Sequence, residues 1–231
     1  MIVRLNVAKK TKTRRNVKWD MLSDKRVDDI DHIALANILN DGRMACLAWD
    51  ADDNPIGQAI SAYHIGEEVA VAQSYKDVVR IANEDQYVWQ LLVEKGLLQR
   101  DGAVNTELCT GAGWTNKMFV RADFMPLRIR ITGIRMERLQ DISNEDCLAE
   151  GVEEDMGDGV FLYWWSIDPK LHEDWRKISD ELTCHMRNGV PGNYFWDTPQ
   201  KVFAILIDKV SGKGTWDSNP WVWVYSFELV K

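Results

Sequence analysis

Residues 119–139, FVRADFMPLRIRITGIRMERL, constrain this chain most. Ile129, Ile131 and Ile134 interleave with Arg128, Arg130 and Arg135, and that alternation predicts a half-buried strand. A helix start follows at once. In Asp141-Ile142-Ser143-Asn144-Glu145-Asp146, Ser143 is the expected N-cap and Asp146 completes a capping-box pattern, with the helix ending near Gly151. A strand running straight into a short capped helix fits neither an all-helical bundle nor a pure sandwich.

Similar alternation recurs along the chain. Thr11 and Thr13 place residues 9–18 in an extended strand. MACLAWD, the turn ADDNPIG and QAISAYHI read as a hairpin, and VAVAQSY as another strand. Pro220 precedes the strand WVWVYSFELV. Helices are expected over 20–40, stopped by Asp41-Gly42, over 77–100, and after the cap and first-turn proline Thr198-Pro199. Residues 101–116 read as a loop. The resulting class is α+β: a strongly bent sheet or small β-barrel with helices packed outside.

With 231 residues, 45% of them hydrophobic, the chain is long enough for a proper core. No apolar run approaches the ~20 residues that span a bilayer, and the N-terminal apolar stretch is too short for a secretion signal. Cys46, Cys109, Cys147 and Cys184 form no CxxC pair and are expected as reduced thiols in a cytoplasmic protein with no membrane association. His32, His64, His172 and His185 have no ligand spacing, so neither a metal nor another cofactor is expected. The net charge of −8 argues against a general nucleic-acid coat, yet residues 1–19 hold seven bases and no acid. There is no GxGxxG, Walker loop, HExxH or GxSxG.

Four segments together resemble the ASCH superfamily, whose domains have a PUA-like fold. They are KKTKTRR at 9–15, Tyr63-His64-Ile65-Gly66-Glu67 leading into VAVAQSY, IRITGIRMERLQDISNEDCLAEGV at 129–152, and AILIDKVSGKGTWDSNPWVWVYSFELV at 204–230, the last similar to the close of phage-borne and bacterial members. The resemblance implies one ASCH-like domain over 1–231, with insertions at about 77–116 and 152–197. Two departures stand out. Ala8-Lys9 occupies the place of a family glycine, and Ala72-Gln73-Ser74-Tyr75 stands where many members carry Arg-Glu-Thr-Trp.

Members of the superfamily include amidohydrolases that deacetylate N4-acetylcytidine. The resemblance carries their Lys–Thr–Glu set onto Lys10, Thr13 and Glu150, and the signature's closing arginine onto Arg15. Amide hydrolysis needs a nucleophile, a base and an oxyanion holder. Thr13 Oγ is the expected nucleophile, with Lys10 as base. If Lys10 stays charged, Glu150 is the base and Lys10 with Arg15 holds the oxyanion. Lys12, Arg14 and Arg15 are the accompanying substrate- or nucleic-acid-binding cations. The expected ligand is a nucleobase, nucleoside or RNA, and the alternative is a non-catalytic reader or a phage or mobile-element accessory protein. In a straight strand positions 10 and 13 face opposite sides, so convergence requires a bend near Lys10–Thr11.

Other features carry two readings. Arg121, Arg128, Arg130, Arg135 and Arg138 either track phosphates or form a polar face paired with the acidic helix that follows. Trp221 and Trp223 share a strand face and read as core. Tyr163-Trp164-Trp165, in the acidic stretch 152–197, suggests a stacking surface or a protein-partner surface.

Overall fold

The computed structural model describes residues 10–157, 160–164 and 198–230. Two compact units emerge: residues 2–64 with 133–226, and residues 65–132 with 227–231.

In the larger unit, β1 (Lys12–Asn16) pairs antiparallel with β10 (Trp221–Val230), which neighbours β7 (Arg128–Arg138). The register sets Thr13 opposite Tyr225 and Arg14 opposite Val224. A second antiparallel sheet has the order β2-β5-β4-β3, from β2 (Asp20–Met21), β3 (His32–Ile38), β4 (Arg43–Trp49) and β5 (Pro55–His64). The hairpin β8 (Glu153–Gly157) and β9 (Val160–Trp164) forms a separate pair.

Alternation gives β10 two working faces. Val222 and Val224 are buried with Leu139, Ile142, Cys147, Val202 and Phe203, beneath α4 (Asn144–Ala149) and α5 (Pro199–Ser211). Trp223 and Tyr225 are buried on the other face, where Tyr225 Oη accepts from the Ala62 N–H and its ring meets Tyr63 edge-on. Trp221, on that face, packs against Ile30, Ala48 and Ile56 of a second core. Helices, one sheet and the other sheet thus form three layers.

The smaller unit holds β6 (Glu68–Ala70), paired with Arg128–Arg130, and three helices: α1 (Tyr75–Ala82), α2 (Gln86–Glu94) and α3 (Thr106–Thr110). Ser74 caps α1 by accepting from the Asp77 N–H, and Asp85 caps α2 through the Tyr87 and Val88 N–H groups. That second cap splits the expected 77–100 helix in two. Gly113 lies at φ +94°, where a Cβ would stand 3.0 Å from the Tyr75 ring, so glycine is required on both counts.

The α+β class holds, but the sheets are open. Strand orders β1-β10-β7-β6 and β2-β5-β4-β3 do not close into a barrel among the described residues. The expected helix over 20–40 is also corrected. Only a 3₁₀ turn forms at Val27–Asp29, and His32–Ile38 is a strand paired with β4. Asp41-Gly42, read as a helix stop, is the tight turn of that hairpin. Gly42 sits at φ +83°, and the Leu39 N–H donates to the Arg43 carbonyl. The loop 101–116 contains α3, and the strand expected over VAVAQSY stops at Ala70. Residues 165–197, the bulk of the proposed partner surface, and Cys184 lie outside the described residues. Cys46, Cys109 and Cys147 are free thiols. No described helix is long and apolar enough to cross a membrane.

Candidate functional site

Three stretches far apart in sequence meet in the larger unit: 10–14, the end of β7, and α4. The Thr11 N–H donates to the Ala149 carbonyl at 2.9 Å, satisfying one of the open carbonyls at the end of α4. Lys10 therefore lies beside Glu150, the C-cap of α4. Lys10 Nζ is 2.9 Å from Glu150 Oε2. The ammonium side chain is 38% exposed and the carboxylate 5%.

Strand alternation turns Lys12 and Arg14 toward α4. Lys12 pairs with Asp146 Oδ1. Arg14 is the centre of the group, its side chain 1% exposed. Its guanidinium reaches Glu137 Oε1 at 2.6 Å, Asp146 Oδ2 at 2.8 Å and Glu150 Oε1 at 3.1 Å. Arg135 reaches Glu137 Oε2 at 2.9 Å and also pairs with Asp146 Oδ2. Each of the six oxygens of Glu137, Asp146 and Glu150 thus accepts from a cation. The Phe203 ring closes the far side, 5.7 Å from Arg14 Cζ.

Burial opposes both charges at the centre, and the partners override it. For Arg14, burial pulls the pKa down, but the Glu137 hydrogen bond and the Glu150 and Glu137 charges carry it above its ordinary value. For Asp146, burial favours the neutral acid, yet Lys12, Arg14 and Arg135 hold it down to about 2. Cys147, next in the helix, is pushed by burial up to about 12 and is no thiolate nucleophile.

A consequence for acid stability follows. The Asp146 pKa is depressed relative to ~3.9 in an unfolded chain, so its contribution is complete above about pH 4 and lost as pH falls to 2. The shift corresponds to about 2 kcal/mol. Urea unfolding of wild type should weaken between pH 5 and 2 by that much more than unfolding of Asp146→Asn. Parallel pH slopes would refute the assignment.

The structure brings Lys10 and Glu150 together and adds Lys12 and Arg14. Thr13 and Arg15 alternate onto the opposite face of β1, the side of Tyr225 and Trp223. Arg14, read from the sequence as a ligand-binding cation, is buried against acids. No role for Glu137 was singled out from the sequence. Arg135 was left either to track phosphates or to pair with the acidic helix that follows, and its contact with Asp146 is of the second kind. Asp146 itself was read only as a cap. Its backbone N–H does donate to Ser143 Oγ, while its carboxylate serves the cations. Of the other arginines in that series, Arg130 pairs with Glu68 and Glu228, Arg121 pairs with Asp123, and Arg138 lies over the Trp221 ring. No group of His, Cys, Asp and Glu suited to a metal occurs among the described residues.

No protein-family model matches the chain, and no curated protein or solved structure is significantly similar to it.

Proposed function

We propose that this is an ASCH-type binding protein for a nucleobase, nucleoside or RNA, with Lys10, Lys12 and Arg135 as the outer contacts. The observation that carries the reading is the layering of the charge cluster. Asp146, Glu150 and Arg14 are buried and Glu137 is half-buried, whereas Lys10, Lys12 and Arg135 are 38%, 27% and 39% exposed. A carbonyl or phosphate oxygen arriving from solvent meets these donors first, already held in place by the acids behind them. Charge-assisted hydrogen bonds of this kind are the strong ones.

Hydrolysis of an N4-acylated cytidine is the second reading, and the Lys10–Glu150 pair favours it. That chemistry also needs a nucleophile at the pair, and Thr13 faces the other side of β1. Binding therefore ranks ahead of turnover.

The test is to measure binding and hydrolysis separately, with N4-acetylcytidine and a short single-stranded RNA. Lys10→Ala should weaken binding about tenfold or more, the loss of one charged hydrogen bond. Three phosphate-contacting cations at ~0.7 each predict a slope of about 2 in log affinity against log salt. A slope near 10, or wild-type affinity in Lys10→Ala, would overturn the reading. Turnover of N4-acetylcytidine that Thr13→Ala abolishes would move the conclusion to hydrolysis.

A further inference from the structure

The two four-stranded sheets end in four edge strands, β1 and β6 in one, β2 and β3 in the other. A sheet edge presents a row of unpaired N–H and C=O groups, and proteins blunt such rows with charge, proline or brevity. β1 carries Lys12, Arg14 and Arg15, while β6 is three residues long and β2 two. β3 has none of these devices. It runs for seven residues, HIALANI, without Asp, Glu, Lys, Arg or Pro. Its ladder runs to β4, and no other backbone hydrogen bond joins residues 32–37 to the rest of the described residues. The register slips at Asn37, so the regular stretch is His32–Ala36.

The side chains along this edge are also incomplete. Ile33 and Leu35 stand opposite Ala48 and Cys46, which are fully buried, so both lie on the core-facing side of the sheet. Ile33 packs into the second core, but Leu35 is 44% exposed. A leucine on the core side and yet open to solvent lacks a neighbouring strand. Ala34, between the two on the outer face, is exposed and small.

The stretch is complementary to itself. In an antiparallel pair of two copies centred on Ala34, Ile33 of each lies opposite the partner's Leu35, and Ala34 lies opposite the partner's Ala34. Each Leu35 thereby gains an aliphatic cross-strand neighbour, twice over by symmetry. Any extended peptide could meet the backbone groups. The reciprocal Ile33–Leu35 match selects a second copy of this chain.

We propose that the chain forms a two-fold dimer through β3, paired antiparallel over His32–Ala36 and joining the two β2-β5-β4-β3 sheets into one. This interface does not rest on the ligand reading of the Lys10–Glu150 cluster.

The test follows the mass of the full chain by sedimentation velocity, from low micromolar to near-millimolar concentration. Wild type should pass from monomer to dimer. Two chains of net charge −8 repel, while the shared strand holds no acid, lysine or arginine, so the dimer should tighten as salt is added. Ala34 is exposed, so substitution there leaves the core untouched. Ala34→Lys and Ala34→Glu each set like charges opposite one another across the two-fold axis, and each should weaken self-association about tenfold or more. Mixed together, the two variants should form a one-to-one dimer, a rescue that neither misfolding nor a contact elsewhere on the surface would produce. The proposal falls if wild type stays monomeric at the highest concentration, if either variant dimerises as wild type does, if the mixture stays monomeric, or if salt weakens the dimer.

Discussion

Arg14→Met should lower stability by about 3–5 kcal/mol, the cost of removing one partner from a buried ion cluster. The guanidinium satisfies Glu137, Asp146 and Glu150 at once, and methionine leaves part of that negative charge buried without its counter-ion. The deficit should shrink as pH falls toward 3, because carboxylates deprived of Arg14 take up protons more readily. Arg14→Lys keeps the charge but cannot span three carboxylates, so it should fall between the two. Urea midpoints at pH 7 and pH 3 measure both effects. A loss below about 1 kcal/mol at pH 7, the range of an exposed ion pair, would show that the cluster is solvated and not a core element.

Phe203→Ala should cost a comparable 3–5 kcal/mol, the usual range for truncating a buried phenylalanine. Phe203 is 2% exposed, stands edge-on to Trp216 with ring centroids 6.2 Å apart, and packs with Val222 and Val224 of β10. It also carries the Arg14 guanidinium on its face. Phe203→Leu should cost much less in packing while still removing that ring. A double-mutant cycle between Phe203→Leu and Arg14→Lys should therefore show coupling of roughly 0.5–1 kcal/mol. Strict additivity would mean that the ring and the cation do not act on each other.

The parts of this fold that were legible in the sequence are those specified locally. The β4–β5 hairpin, the β7 alternation, the Ser143 cap and the proline at the start of α5 each rest on a few adjacent residues. The failure at 20–40 has the same origin. A short alanine-rich apolar run fits either period, and its partnership with β4 decided the outcome. Lys10 and Glu150 were legible as a pair only through the family resemblance. Glu137 and Asp146 were not, because nothing local distinguishes an acid that faces a buried guanidinium from one on a solvated face. Thr13 faces away from Lys12 and Arg14, as plain alternation along β1 dictates, and that parity was legible in the sequence. The expectation that Thr13 joins Lys10 needed a bend that alternation alone does not supply.

The pairing of β1 with β10 has a consequence for the order of events during synthesis. Lys12 lies opposite Ser226, so the first described strand waits for the last one. At ~5–20 residues per second, the ribosome needs roughly 10–40 seconds to cover that interval. The acids that hold Arg14 arrive much earlier, by residue 150. A nascent chain can thus clasp residues 10–14 against β7 and α4 while the place beside them in the sheet is still unfilled. Closure by β10 is a late, long-range step of the kind that slows folding. Until it occurs, an exposed strand edge is the growing chain's main aggregation hazard.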